Sequence, residues 1–233
     1  MAEEIKLNSS KLGTQEYWNE FYERELQNFQ SNSDDTGECW FDDSDAESKM
    51  IQFIADKLEE GEFAKDISFL DLGTGNGHLL FELSQELKEV DDINFTFHGI
   101  DYSAESVAFA KDIANKKFPG FSFKFDQIDL LTDTPFLENK FDVLLDKGTL
   151  DAIALNQDLI NGKRGMDIYA KQVSKMMQKG SILLITSCNF TENELIKVIT
   201  SETELTEWDQ IQYPSFQFGG VQGSTVVSIA FIK

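Results

Sequence analysis

Three glycines and an acid form the most informative group of residues in the chain. The apolar segment 69–72 contains Asp71 and leads into Gly73, Gly75 and Gly77, which are spaced G-x-G-x-G. A buried strand that enters a glycine-rich turn before a helix is typical of a doubly wound sheet that binds a nucleotide-like cofactor. Glycine permits the tight turn and leaves room for a bulky ligand. A dinucleotide fingerprint has one more residue before its third glycine, so this spacing argues against a pyrophosphate ligand.

A second acid follows at the end of the next apolar segment. Residues 93–100 are mostly apolar and end at Asp101, which lies 24 residues after Gly77. A carboxylate at about this spacing binds the two ribose hydroxyls of a nucleotide, because it accepts both hydroxyl protons. We therefore predict that Asp101 binds a ribose and that Tyr102, the next residue, lies beside it.

The order of these elements resembles the cofactor-binding half of class I S-adenosylmethionine-dependent methyltransferases. Their first motif has the same glycine spacing, and their cofactor has no phosphate group. Alternating strand and helix patterns from residue 67 onward favour an α/β fold. The resemblance implies a doubly wound, Rossmann-like, seven-stranded and mostly parallel sheet with a reversed final strand. It implies S-adenosylmethionine as the cofactor, bound by Asp71, Gly73, Thr74, Gly75, Gly77, Asp101 and Tyr102.

The third strand of this pattern ends near two further acids. Residues 121–125 alternate as a half-buried strand does and lead to Asp126 and Asp129. In the methyltransferase pattern an acid at this point binds the adenine amino group. We favour Asp129 over Asp126, because Leu130 and Leu131 follow it and can pack on the adenine face.

Composition and charge restrict the partners. The 233 residues include 20 Lys and Arg and 42 Asp and Glu, a net charge of −22. Binding to nucleic acid needs a basic face, so no direct nucleic-acid partner is expected, whereas a basic protein partner suits this charge. No segment reaches the length of a membrane span and no signal peptide is recognisable, so no membrane partner and a cytoplasmic location are expected. Cys39 and Cys188 belong to no metal-ligand spacing, so no metal site is predicted.

The chain is predicted to divide into an N-terminal extension, residues 1–43, and a methyltransferase domain, residues 44–233. The extension contains an amphipathic helix over residues 13–26 and a loop of acids and glycine that carries Trp40 and Phe41. Two interpretations are open for these rings. They form a lid over the cofactor or the target group, which we favour, or they pack into the core at the sheet edge.

Several short motifs together resemble the eukaryotic lysine methyltransferases of translation elongation factor 1-alpha. The resemblance runs from about residue 11 to the end, but 57–65 and 156–163 do not match it. It implies a cytosolic protein-lysine N-methyltransferase that has elongation factor 1-alpha as its protein substrate, and we expect a monomer. The motifs are LGT at 12–14, YEREL at 22–26, DTGECWF at 35–41, LGTGNG at 72–77, GIDYS at 99–103, DKGT at 146–149 and ITSCN at 185–189.

Transfer of a methyl group to a lysine amine directs attention to the tip of the fourth strand, where the acceptor must arrive. The apolar segment 141–145 ends there at Asp146. A carboxylate beside an amine favours its protonated form, so we predict that Asp146 orients the amine or the cofactor instead of acting as a strong base. Candidates for an aromatic wall around the amine are Trp40, Phe41, Tyr102, Phe190 and Phe218.

Two other functions stay open at this point. The same scaffold can methylate another basic protein or a small molecule. Alternatively, it can bind a dinucleotide, or bind a cofactor without catalysis. The glycine spacing argues against a dinucleotide, and the presence of Gly75 and Asp101 argues against an inactive module.

Overall fold

The strands and helices alternate along most of the chain. The computed structural model describes the backbone of residues 5, 7–63, 66–214, 216–218, 221–223 and 225–233, and side chains throughout these ranges except in 216–218 and 221–223. The strands are β1 (Asp66–Leu72), β2 (Asn94–Asp101), β3 (Phe123–Gln127), β4 (Phe141–Lys147), β5 (Met177–Ser187), β6 (Thr206–Ile211), β7 (Phe216–Phe218), β8 (Val221–Gly223) and β9 (Val227–Ile232). The α-helices are α1 (Gln15–Ser31), α2 (Ala46–Glu59), α3 (His78–Glu86), α4 (Ala104–Lys117), α5 (Thr149–Ala154), α6 (Gly165–Lys175) and α7 (Glu192–Thr200).

Seven strands of the described chain form one twisted sheet in the order β3-β2-β1-β4-β5-β9-β6. The strands from β3 to β5 pair in parallel, whereas β9 runs antiparallel between β5 and β6. This confirms the predicted fold, a mostly parallel seven-stranded sheet with a reversed final strand. The strand order reverses between β1 and β4, and in open α/β sheets ligands bind at the carboxyl ends of the strands beside such a switch point.

Helices cover both faces of the sheet, which explains why its central strands are apolar on both sides. One core cluster lies under α1 to α4 and includes Phe69 and Phe109. The other lies under α5 to α7 and includes Leu70 and Tyr169. Neighbouring residues of β1 thus enter opposite cores, as the two-residue period of a strand requires.

The N-terminal helix is longer than the sequence pattern predicts. The Thr14 side chain caps it by accepting a hydrogen bond from the Tyr17 amide at 3.3 Å. The helix continues to Ser31 because Phe29, which is fully buried, packs on Phe109 of α4 with ring centroids 5.7 Å apart. The division at residue 43 stays a prediction. Within the described residues, no helix has both the length and the apolar character needed to cross a bilayer.

Candidate active site

A cavity of about 420 Å³ opens at the carboxyl ends of the central strands. This volume is typical of a pocket for a small molecule. Trp40 and Phe41 lie in its wall, whereas the predicted site residues Gly77 and Asp146 are not among its lining residues. The predicted cofactor-binding residues that do line it are Asp71, Gly73, Thr74, Gly75, Asp101, Tyr102, Asp129 and Leu130.

The glycine turn between β1 and α3 needs glycine for two physical reasons. Gly73, Gly75 and Gly77 have φ angles of 66°, 56° and 83°, in the left-handed region that side chains disfavour. In addition, a Cβ on Gly75 would lie 2.5 Å from the hydroxyl oxygen of Tyr22. Gly77 faces α3, because a Cβ there would meet the Phe81 ring at 2.8 Å. The turn therefore faces the pocket from Gly73 to Asn76, whereas Gly77 packs against α3.

Asp71 and Thr74 stiffen this turn. The Thr74 hydroxyl donates to an Asp71 carboxylate oxygen at 2.7 Å. Burial of Asp71 raises its pKa to about 7, although the bond from Thr74 opposes this shift. A carboxyl group with a pKa of about 7 at the pocket wall can accept a hydrogen bond from a cationic ligand and become ionised as that ligand binds.

Asp101 is fixed by the backbone around it. Its two carboxylate oxygens accept hydrogen bonds from the amides of Gly75 at 3.1 Å and Ser103 at 2.9 Å. Burial raises the pKa of Asp101, and these backbone bonds act in the opposite direction. Each carboxylate oxygen has a second lone pair, so a buried and oriented Asp101 retains the acceptors that two hydroxyl groups require.

The structure separates the two acids that follow β3. Asp129 lines the pocket beside Leu130, and one of its oxygens accepts a hydrogen bond from the Leu131 amide at 2.8 Å. Asp126 instead pairs with His98 at 2.9 Å and Lys124 at 3.1 Å. Of these two acids, Asp129 is therefore the one that lines the pocket.

The tip of β4 differs from the sequence prediction. Asp146 is fully buried, and its carboxylate accepts hydrogen bonds from the Tyr169 hydroxyl at 2.5 Å and the Thr149 amide at 2.8 Å. Both carboxylate oxygens therefore accept hydrogen bonds from the first turn of α5, and one of them also accepts a hydrogen bond from Tyr169 of α6. Asp146 does not line the pocket, because strand alternation directs this side chain into the core and Lys147 to the opposite face. Its contact with an amine or a cofactor stays a prediction.

Asp151 of α5, the helix that follows β4, lines the pocket. It accepts hydrogen bonds from the Ser187 hydroxyl and, at 2.8 Å, from the Cys188 amide. Burial raises the pKa of Asp151, and it also raises the pKa of the Cys188 thiol, to about 12. Asp151 was not predicted as a site residue. The only sequence signal for it is its position five residues after Asp146, in the first turn of a short helix.

Trp40 and Phe41 have features of both interpretations given from the sequence, a lid over the pocket and packing against the rest of the protein. The Trp40 ring lines the pocket and also packs edge-on against Trp18 of α1, with centroids 5.3 Å apart. Phe41 lines the pocket with a φ of 67°, which is uncommon for a bulky residue. Its ring occupies the place that a Cβ on Gly148 would need, 2.6 Å away.

The other candidates for the aromatic wall have different positions. Tyr102 lines the pocket, whereas Phe190 is buried in the core under α5 to α7. The side chain of Phe218 lies outside the described residues. Tyr22 of α1, the first residue of the motif YEREL at 22–26, lines the pocket beside Gly75.

Comparison with known proteins gives a consistent result. Residues 63–220 match the family described as a methyltransferase domain. The chain is 49% identical over 228 residues to "Protein-lysine N-methyltransferase EFM4" of Saccharomyces cerevisiae, covering 97% of this chain and 96% of that protein. It is 37% identical over 225 residues to "EEF1A lysine methyltransferase 2" of Homo sapiens, covering 96% and 87%. The chain belongs to this protein-lysine N-methyltransferase family. Its cofactor is S-adenosylmethionine, as predicted.

Solved structures with low sequence identity share the fold of this methyltransferase. An S-adenosylmethionine-dependent methyltransferase from Clostridium acetobutylicum has a TM-score of 0.59 at 14% identity, covering 79% of this chain and 91% of that chain. Magnesium protoporphyrin IX methyltransferase from Synechocystis, solved with bound S-adenosylmethionine, has a TM-score of 0.54 at 14% identity, covering 89% and 94%.

The charge of the pocket suits this cofactor, which carries a sulfonium and an ammonium group. Six carboxyl side chains and one lysine, Lys147, are among the described residues that line it. Such a lining favours cationic ligands electrostatically. The six carboxyl groups are those of Glu38, Asp71, Asp101, Asp129, Asp151 and Asp158.

Lys147 belongs to a cluster that the sequence did not predict. Its Nζ lies 3.1 Å from Oε2 of Glu47 and 3.8 Å from Sγ of Cys39. His78 binds Oε1 of Glu47 through Nδ1 at 2.5 Å. We name Cys39, Glu47, His78 and Lys147 the Lys147 cluster.

Three residues of the cluster are of types that ligate metals, and their atoms lie within 4.8 Å of one another, which the sequence spacing of the cysteines did not indicate; these residues are Cys39, Glu47 and His78. Hydrogen bonds to Cys39 and Glu47 raise the pKa of His78 to about 10. A protonated imidazole has no lone pair for a metal. The Lys147 ammonium group already provides a cation for Glu47, so the cluster forms a partly buried ion-pair network.

Proposed function

We propose that this protein transfers methyl groups from S-adenosylmethionine to a lysine ε-amino group of translation elongation factor 1-alpha. The observation that carries the proposal is the pocket, which is lined by Asp101 and Asp129 after β2 and β3, on one side of β1, and by Gly148 and Asp151 after β4, on the other side. The name of the human relative at 37% identity, EEF1A lysine methyltransferase 2, supports the choice of elongation factor 1-alpha. The proposal includes a cytoplasmic location and action as a monomer.

The residues present suit the cofactor by their chemistry. Asp101 would hold the ribose hydroxyls, and Asp129 with Leu130 the adenine ring. Asp71 and the backbone at Gly73 to Gly75 would hold the methionine part. When bound, S-adenosylmethionine supplies an electrophilic methyl group on a positively charged sulfur.

The protein must then deliver a neutral amine in line with that group. Lysine normally titrates near 10.4, but a desolvated site and a nearby positive charge both lower this value. Phe41 and Trp40 exclude water from the wall, which favours the neutral amine. Asp151 would attract the lysine as it enters and orient its nitrogen. Positioning of this kind supplies most of the catalysis available for a direct displacement.

A labelling experiment tests the proposal. The purified protein is incubated with methyl-labelled S-adenosylmethionine and elongation factor 1-alpha from cells that lack this enzyme, and the product is mapped by mass spectrometry. We expect label on a single lysine of that protein. An Asp101→Asn variant should give no label, whereas Asp126→Asn should label normally because Asp126 lies outside the pocket. Label in other proteins or in small molecules of a full extract, and not in elongation factor 1-alpha, would contradict the proposal.

A further inference from the structure

The Lys147 cluster lies where the loop that carries Trp40 and Phe41 meets the sheet. We name residues 35–45 the aromatic loop. Besides its contacts with Glu47 and Cys39, the Lys147 ammonium group donates a 2.9 Å hydrogen bond to the backbone carbonyl of Trp40. The side chains of Lys147 and Glu47 are only 12% and 10% exposed. Charge-assisted hydrogen bonds in such an environment are stronger than those between neutral groups.

Two polar side chains hold the aromatic loop at alternate carbonyl groups. The Asn76 amide, in the glycine turn, donates to the carbonyls of Thr36 at 3.0 Å and Glu38 at 3.3 Å. Lys147, at the tip of β4, holds the carbonyl of Trp40. The loop is therefore fixed from the cofactor turn on one side and from the strand that receives the acceptor on the other.

Lys147 and its neighbour Gly148 act on successive residues of the loop. Lys147 holds the Trp40 backbone, and Gly148 leaves space for the Phe41 ring, which a Cβ would contact at 2.6 Å. Phe41 and Asp45 both have left-handed φ angles, 67° and 54°. Non-glycine residues keep this conformation only where their surroundings impose it. The bond from Lys147 is one such constraint.

We propose that Lys147 is a positioning residue for methyl transfer, whose ammonium group, oriented by Glu47, holds the aromatic loop closed over the acceptor end of the pocket. This inference rests on the proposed function for the identity of the acceptor end. Burial disfavours the ionised form of Glu47, yet the hydrogen bonds from His78 and Lys147 outweigh burial and lower its pKa. Glu47 is therefore charged at neutral pH and available to orient Lys147.

Three variants test this role. Lys147→Met removes the ammonium group and keeps the length of the side chain, Glu47→Gln removes the anion that orients it, and the third variant combines both. Lys171→Met is the matched control, because Lys171 forms an exposed ion pair with Glu202 at 2.6 Å outside the pocket. Each protein is examined for its melting temperature, hydrogen–deuterium exchange, affinity for S-adenosylmethionine, and kcat and KM for the protein acceptor.

We expect Lys147→Met to accelerate exchange in residues 36–45 and to lower kcat/KM by about ten- to a hundredfold, the loss of one charge-assisted hydrogen bond. Affinity for S-adenosylmethionine should stay within about threefold, since one hydrogen bond to the loop is not a bond to the cofactor. Glu47→Gln should change the same readouts in the same direction. The double variant should show no greater loss of kcat/KM than Lys147→Met alone, because both residues act through one contact. Lys171→Met should behave as the unmodified protein.

Unchanged exchange in residues 36–45, or losses that add in the double variant, would overturn the proposal. Exchange that rises equally in α2, α3 and the aromatic loop would also overturn it, because that pattern marks a general loss of stability. Exchange and cofactor affinity need no protein acceptor. They therefore test Lys147 even if elongation factor 1-alpha is not the substrate, and the two failures can be told apart.

Discussion

The hydroxyl group of Tyr169 donates a 2.5 Å hydrogen bond to Oδ2 of Asp146, and both residues are fully buried. The remaining acceptors of Asp146 bind the amides of Thr149 and Leu150, at 2.8 and 3.1 Å, so this carboxyl group caps the start of α5. Burial raises its pKa to about 7. Asp146 therefore supports the pocket wall through α5 and belongs to the core.

The raised pKa of Asp146 gives a signed dependence of stability on pH. A carboxyl group with a higher pKa in the folded state binds its proton more tightly there, so its contribution is present at low pH and is lost as pH rises from about 4 to about 7. The asparagine side chain in the Asp146→Asn variant does not titrate, so it lacks this contribution. We subtract the free energy of unfolding of the unmodified protein from that of the variant. This difference should increase by about 2–3 kcal/mol from pH 5 to pH 8.

Urea denaturation at the two pH values measures this difference. Tyr169→Phe serves as the companion variant, and loss of its hydrogen bond should destabilise the protein by about 1–3 kcal/mol. Neither change should alter the affinity for S-adenosylmethionine of the folded protein. A pH-independent difference for Asp146→Asn would show that the carboxyl group is ionised throughout this range.

Local patterns in the sequence predicted that Gly75 and Asp101 belong to one site, and both residues line the pocket. The positions of Gly75 and Asp101 follow from one turn and one strand end, and both depend on neighbouring residues only. The same patterns fixed the sheet, because apolar strands between helices have few parallel arrangements. The order of the strands, including the reversed β9, agrees with that expectation.

The acceptor end depends on contacts between distant parts of the chain. Asp146 and Lys147 are neighbours, so either could have faced the pocket, and Tyr169 from α6 together with Glu47 from α2 settles which one does. Cys39 approaches Lys147 across 108 positions of sequence. Contacts between single polar residues at such separations leave no periodic pattern in the sequence. The sequence therefore did not predict the Lys147 cluster.

Asp101 should determine cofactor affinity. Asp101→Asn keeps an oxygen for the Gly75 or Ser103 amide but loses the charge and one acceptor for the ribose hydroxyls. Loss of two charge-assisted hydrogen bonds should weaken binding of S-adenosylmethionine by at least about a hundredfold. Isothermal titration calorimetry measures the change, and Asp126→Asn is the control because Asp126 pairs with His98 and Lys124 instead. Equal affinities for both variants would refute the ribose assignment.

The Phe41 ring should matter for turnover more than for stability. Glycine adopts the left-handed φ of 67° freely, so Phe41→Gly relieves about 1 kcal/mol of backbone strain while it removes the ring that covers Gly148. We expect a melting temperature close to that of the unmodified protein and a kcat lowered about tenfold or more, since water then enters beside the amine. Asp92→Gly is the control, because Asp92 has a φ of 64° outside the pocket. Unchanged turnover with lower stability would support a core role for the ring.

The segment 156–163, which the sequence analysis did not match to the family motifs, contributes to the wall of the pocket. Ile160 and Lys163 exchange backbone hydrogen bonds at 2.9 and 3.1 Å around a turn in which Asn161 and Gly162 have positive φ. Asp158 and Ile160 line the pocket. Leu159 between them is 62% exposed. An exposed apolar side chain between pocket-lining residues is well placed to contact a protein acceptor.

Replacing Leu159 therefore tests whether the acceptor is recognised as a folded protein. Leu159→Ser should raise KM for the protein acceptor by about three- to tenfold, the loss of one partly buried apolar contact, and leave affinity for S-adenosylmethionine unchanged. Val90→Ser is the matched control, since Val90 is 37% exposed and lies outside the pocket. Steady-state kinetics should be compared for the whole acceptor and for a short peptide that contains the target lysine. If KM rises equally for the whole acceptor and for the peptide, Leu159 acts on the lysine channel itself. If KM rises for the whole acceptor alone, Leu159 contacts the surface of the acceptor protein.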